Sequence, residues 1–175
     1  MDQRVTLRAH LEHSESQTPH GAELGGVIEA IAAAAIELAA LIADGPLAGI
    51  TGQDGGINPD GDRQKDVDVA ADAVMRRALR DTAVAAVLSE EAVLPEILCP
   101  AAPFCVAIDP LDGSANLENN ISVGTIFSVR PSGSDVLSTF FEPGTAQCAA
   151  GFVVYGPQTT LVLALNGRVD IFILD

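Results

Sequence analysis

A short apolar run, Cys105 to Ile108, ends abruptly in Asp109-Pro110-Leu111-Asp112, which leads into Gly113-Ser114. The run reads as a buried strand. Pro110 has no N–H to offer a ladder, so the strand is expected to stop there. Gly113 lets the backbone turn sharply, and Ser114 is a good N-cap for the residues that follow. Strand, acidic turn and first helical turn would then set carboxylates, which hold hard cations, beside free N–H groups, which receive phosphate. An isolated Asp-Pro-x-Asp-Gly is equally compatible with an Asx turn that caps a helix. The rest of the chain decides between the two.

With 175 residues, 48% of them apolar, the chain has room for one globular domain with a sizeable core. Its formal charge of −15 argues against nucleic acid and against anionic membrane surfaces as partners. Cys99, Cys105 and Cys148 are odd in number and form no Cys-x-x-Cys pair, so neither a disulfide framework nor a zinc site is suggested. Met1 to Glu12 lacks the apolar stretch of a signal peptide, which predicts a reducing, cytoplasmic setting.

Along the chain, residues 1–23 read as an N-terminal arm with a short helix around Leu7 to Leu11 and a polar stretch from His13 to His20. Its histidines have no matching carboxylates and are not expected to form a metal cluster. Glu23 to Ala43 is an apolar helix interrupted by Glu29 and Glu37, acids too costly for a bilayer centre; it reads as a packed helix. Residues 51–62 form a glycine-rich acidic loop, and a helix is predicted from about Val67. A buried strand, Ala83 to Leu88, ends in Ser89-Glu90-Glu91, again an apolar run terminating in acids. The runs Gly124 to Val129, Ala146 to Tyr155, Thr160 to Leu165 and Val169 to Leu174 follow. Asn166-Gly167 is a strong hairpin signal, so an antiparallel meander is expected.

Three acidic groups thus stand at the ends of elements: Asp62 to Asp68, Glu90-Glu91, and Asp109 with Asp112. Like charges within a few ångströms repel by several kcal/mol unless a cation neutralises them. All-oxygen donors favour Mg²⁺ or Mn²⁺ over zinc.

Asp109-Pro110-Leu111-Asp112-Gly113-Ser114-Ala115-Asn116, continued by Ser122-Val123-Gly124-Thr125-Ile126-Phe127, closely resembles class I fructose-1,6-bisphosphatase. Ser89-Glu90-Glu91 and Gly61-Asp62-Arg63-Gln64-Lys65-Asp66-Val67-Asp68-Val69 match that family's other two signatures in the right order. The resemblance runs from about Leu24 to Asp175. It implies an α/β layered sandwich: a mixed, largely antiparallel sheet flanked by helices, with which the order of elements agrees. Residues 24–175 would be the family's N-terminal domain. The implied activity is hydrolysis of the 1-phosphate of fructose 1,6-bisphosphate, in gluconeogenesis or the Calvin cycle, with two to three Mg²⁺ or Mn²⁺ ions. The implied partners are a sugar bisphosphate and, in the full-length enzyme, further copies of the chain.

Carried over by position, Glu90, Glu91, Asp109 and Asp112 would be metal ligands, joined by the Leu111 carbonyl. Asp62, on the glycine-rich loop, would close over the site and help bind a further metal ion. Asp68 and Glu91 would orient and deprotonate the attacking water. Asp112, Gly113 and Ser114 would meet the phosphate, with Ala115 beside them where the family usually has a second serine. Two further departures touch the family's AMP site: a Thr-Gly-Glu turn reads Gly21-Ala22-Glu23, and a Lys-Tyr pair reads Pro103-Phe104. Family members are about twice as long, and the C-terminal sugar-phosphate domain is expected to be missing here. An excised domain, a fragment of a split gene and a natural short form are all open. Two other functional readings stand beside this one: another sugar or inositol phosphatase of the same superfamily, and a non-catalytic metal-binding domain.

Overall fold

The computed structural model describes residues 5–45, 54–57 and 63–174. The first helix, α1 (Leu7–Glu15), begins where Thr6 Oγ1 accepts the Ala9 N–H at 3.2 Å. It runs past the expected Leu11 to Glu15, so part of the stretch expected to be an irregular polar segment is helical. Nor does it stand apart from the body: Leu11 is 4% exposed and belongs to the main core. The physical reason is a tight corner. His20 takes a left-handed φ of 57°, and a Cβ at position 21 would collide with the Glu15 carbonyl, so Gly21 is what lets α2 (Gly21–Asp44) start against the end of α1.

By length and composition α2 could cross a membrane. Here Leu24, Val27, Ile28, Ile31, Ala35 and Leu38 are buried in the core that α2 shares with α3 (Asp66–Leu79) and the main sheet. Glu29 and Glu37, the acids that argued against a bilayer, bind Arg8 at 2.9 Å and Arg77 at 2.6 Å on the outside. β1 (Asp54–Ile57), inside the segment 51–62 expected to be a loop, pairs antiparallel with β2 (Arg63–Lys65) just beyond it. Its register slips between Asp54 and Gly56, a bulge of the kind glycine tolerates. The remainder of that loop, Asp62 included, lies outside the described residues.

The main sheet has the order β4-β3-β5-β6-β7-β8-β9. Its strands are β3 (Val84–Ser89), β4 (Glu96–Ile97), β5 (Phe104–Asp112), β6 (Val123–Pro131), β7 (Ala149–Tyr155), β8 (Thr159–Leu165) and β9 (Arg168–Leu174). β3 and β5 are parallel; the other described neighbours are antiparallel, as expected of a mixed, largely antiparallel sheet. The last hairpin turns through Asn166 and Gly167, both with positive φ, which matches the twist of the strands they join.

Strand alternation gives the sheet two unlike faces. Val123, Thr125, Phe127 and Val129 of β6 point into the core with Val153, Tyr155, Leu161 and Leu163, beneath α2 and α3. The opposite face presents Ile126, Phe152, Val154, Val169, Ile171 and Ile173, all at least 37% exposed. This open, apolar face borders the acidic strand ends.

Candidate metal centre

Parallel pairing of β3 and β5 aligns Ser89 with Ile108. One residue further, the Glu90 N–H donates to the Ile108 carbonyl at 3.0 Å, which lays Glu90 beside Asp109. The Glu91 N–H donates to Ser89 Oγ at 3.2 Å, and Ser89 is itself buried. The two strand ends expected to meet do meet.

The strand does not stop at Pro110. β5 continues to Asp112, because the proline sits in a bulge. Asp109 pairs with Ile126 and Asp112 with Gly124, so Pro110 and Leu111 together oppose Thr125 alone. On the other side the β3 ladder has already ended at Ser89 and Ile108, so no neighbour there requires an N–H from residue 110. The Leu111 N–H is taken by Asp109 Oδ1 at 3.1 Å, and the Pro110 carbonyl accepts from Thr125 Oγ1 at 2.8 Å.

The bulge decides where the acids point. Residues three apart in a regular strand face opposite sides of a sheet. With one extra residue between them, Asp109 and Asp112 pair with Ile126 and Gly124, which share a side. Both carboxylates therefore belong to the open face. Asp109 is half-buried, and its pKa is pushed up from 3.8 to about 7. Burial is the largest cause, followed by a hydrogen bond and repulsion from Glu90, then repulsion from Asp112.

Among the described residues, no three Asp, Glu, His or Cys side chains already close on one point as a coordination shell. What the strand ends provide is hard oxygen donors forced together, an arrangement whose repulsion a divalent cation would relieve. The donor chemistry fits Mg²⁺ or Mn²⁺.

The other expected site residues are distributed around this pair. Asp68 is 4% exposed on the first turn of α3, the helix that packs on β3 and β5. Leu111 is buried, while Asp112, Gly113 and Ala115 are exposed. Ser114 is not an N-cap. Gly113, at a left-handed φ of 76°, holds that position without a side-chain bond, and a six-residue 3-10 helix, Ser114–Asn119, follows. The tight 3-10 turn takes its first bond from the Asn116 N–H to the Gly113 carbonyl, so no serine cap is needed. Ser114 lines a second groove, with Leu117 and the end of α2. Glu90 and Asp109 line the first, a groove of about 820 Å³ on the open face with Leu88, Ile126, Phe152 and Val162. No lysine or arginine is among the described residues lining it.

Sequence reasoning missed Thr125 and Tyr155. Thr125 is a fully buried hydroxyl on the core face of β6, and its Oγ1 lies 2.7 Å from the Tyr155 hydroxyl. Strand alternation, which sets a threonine among Val123, Phe127 and Val129, is the signal by which it could have been found.

A mixed sheet layered with helices, carrying paired acids at the adjoining ends of two interior strands, defines an α/β domain with a candidate cation site at those strand ends. The chain belongs to the fructose-1,6-bisphosphatase family: residues 5–175 match the family model "Fructose-1-6-bisphosphatase, N-terminal domain". It is 60% identical over 174 residues to a class 1 fructose-1,6-bisphosphatase of Bradyrhizobium sp. strain BTAi1, covering 99% of this chain and 49% of that protein. It is 52% identical over 175 residues to the class 1 enzyme of Nitrobacter vulgaris, covering 51% of it. The fold matches the crystal structure of Leishmania major fructose-1,6-bisphosphatase in holo form with a TM-score of 0.87 and 28% identity, over 98% of this chain and 55% of that one. The chain spans about half the length of the curated relatives it matches.

Proposed function

We propose that this chain supplies the metal-binding half of a phosphatase site that removes the 1-phosphate of fructose 1,6-bisphosphate. The observation that supports this reading best is the Glu90–Asp109 contact, with Asp112 brought to the same sheet face by the bulge. In this reading Glu90, Asp109, Asp112 and the Leu111 carbonyl hold Mg²⁺ or Mn²⁺, Glu91 joins them, and Asp62 contributes a further carboxylate. When bound, the divalent ions supply Lewis acidity to the phosphoryl oxygens and the leaving oxygen. The chain's own residues do the rest. Asp68 and Glu91 orient the attacking water and take its proton. The Gly113 N–H and the Ser114 hydroxyl receive the phosphate oxygens, with one hydroxyl fewer than the family's usual pair because Ala115 follows.

Three free cysteines and a strongly acidic surface suit a reducing cytoplasm, and assembly into a homo-oligomer belongs to the full-length enzyme in this scheme. The apolar lining of the groove favours a second reading for residues 1–175 alone, namely metal binding without turnover, since no lysine or arginine among the described residues lines it to meet a second phosphate. The test is phosphate release from fructose 1,6-bisphosphate by a protein containing these residues. The expected result is Mg²⁺-dependent release that Asp109→Asn abolishes. Metal-independent release, or a preference for inositol 1-phosphate, would overturn the assignment.

A further inference from the structure

We propose that Tyr155 and Thr125 form a buried clamp that holds the β5 bulge and so keeps Asp109 and Asp112 on one face of the sheet. The inference rests on the metal-binding reading above and adds two positioning residues to it. Thr125 Oγ1 donates to the Pro110 carbonyl at 2.8 Å. A hydroxyl has one proton, so the same oxygen can only accept from the Tyr155 hydroxyl 2.7 Å away, and the tyrosine must be the donor. Burial pushes the phenol up to about 12, so it keeps that proton through the neutral range.

Strand register places the pair where such a chain can form. Thr125 pairs with Val153 across β6 and β7, which makes Tyr155 its diagonal neighbour on the core face, within reach of an aromatic side chain. Thr125 is 0% and Tyr155 5% exposed, in a layer otherwise built from Val123, Phe127, Val129 and Val153. Packing alone would be served as well there by valine and phenylalanine. The hydroxyls instead fix the Pro110 carbonyl, at the point of the bulge where two residues face one. If that carbonyl were released, the bulge could slide along β5, and a slip of one residue sends a strand's side chains to the other face. Asp112 would then leave the side on which Glu90 and Asp109 wait.

The test is Mn²⁺ binding to the 175-residue chain, followed by electron paramagnetic resonance on the folded protein well below its melting temperature, which needs no turnover. Thr125→Val is expected to weaken binding about tenfold or more, as loss of an outer-shell partner does, and Tyr155→Phe is expected to weaken it by a smaller factor. Thr125→Ser, which keeps the hydroxyl, is expected to restore binding to near the parent value, a rescue that packing alone does not explain. Asp109→Asn separates the two levels of argument. If Asp109→Asn abolishes binding while Thr125→Val and Tyr155→Phe bind like the parent, the clamp is refuted and the metal centre stands. If Asp109→Asn binds Mn²⁺ normally, or the parent does not bind it, the metal centre itself fails and the clamp with it. Should Thr125→Val not fold, Tyr155→Phe and Thr125→Ser still decide the matter: parent-like binding by Tyr155→Phe overturns the clamp, as does tenfold weaker binding by Thr125→Ser.

Discussion

Asp109→Asn is expected to stabilise the metal-free chain at pH 8 while removing its response to metal. In the folded chain Asp109 titrates at about 7 against an ordinary 3.8, because burial and the neighbouring Glu90 and Asp112 oppose its charge. A carboxyl whose folded pKa is raised binds its proton more tightly when folded. The stabilisation is therefore fully present below the unfolded value and lost as pH rises through about 7. Unscreened, the difference amounts to about 4 kcal/mol. The group is only half-buried, and water screens it, so we expect about 1 to 2 kcal/mol to be lost between pH 4 and 8. For a chain of this size that is a fall of about 2–8 °C in Tm. Asparagine keeps an oxygen for the Leu111 N–H and carries no charge, so the metal-free variant should regain those degrees at pH 8. In the parent chain, Mg²⁺ or Mn²⁺ at a hundredfold excess over Kd should add about 2.7 kcal/mol, and in the variant almost nothing. Thermal melts at pH 5 and pH 8, each with and without metal, read all four values. A variant that melts lower than the parent at pH 8 without metal would refute the electrostatic reasoning, and an unchanged metal-induced shift would refute the metal centre.

AMP is expected to bind weakly or not at all, because Gly21-Ala22-Glu23 and Pro103-Phe104 stand where the family has a Thr-Gly-Glu turn and a lysine; micromolar binding by calorimetry would overturn this. Residues 1–175 alone are expected to show little turnover of fructose 1,6-bisphosphate, since the groove beside Glu90 and Asp109 has no described lysine or arginine for the substrate's second phosphate. Turnover by the purified monomer comparable to that of whole enzymes would refute it. Gly21→Ala should force α1 and α2 apart at the Glu15 carbonyl and lower stability by about 1–3 kcal/mol, read as a lower urea midpoint. A midpoint equal to the parent's would mean that the corner relaxes freely.

The sequence by itself determined most of the elements and the chemistry of the acids. Apolar runs marked the strands, Asn166-Gly167 marked the final hairpin, and two strand-like runs ending in Glu90-Glu91 and Asp109 named the donors before their neighbourhood was known. These features are local, since periodicity and turn residues act over a few positions. The sequence also suggested an arm before Leu24, because a short polar helix shows nothing of the helix it will lie against. Tertiary structure buried Leu11 there, through a corner that only a glycine fits. The same limit governed the acidic turn. Read locally, Pro110 ends a strand; in the fold it is accommodated, because the β3 ladder stops at Ser89 and a bulge absorbs the extra residue. Which side of the sheet Asp112 faces is therefore not written in its own strand. It is decided by a hydroxyl thirteen residues away, Thr125, itself bonded to Tyr155, thirty residues further on, because a bulge exists only where a neighbouring strand holds it.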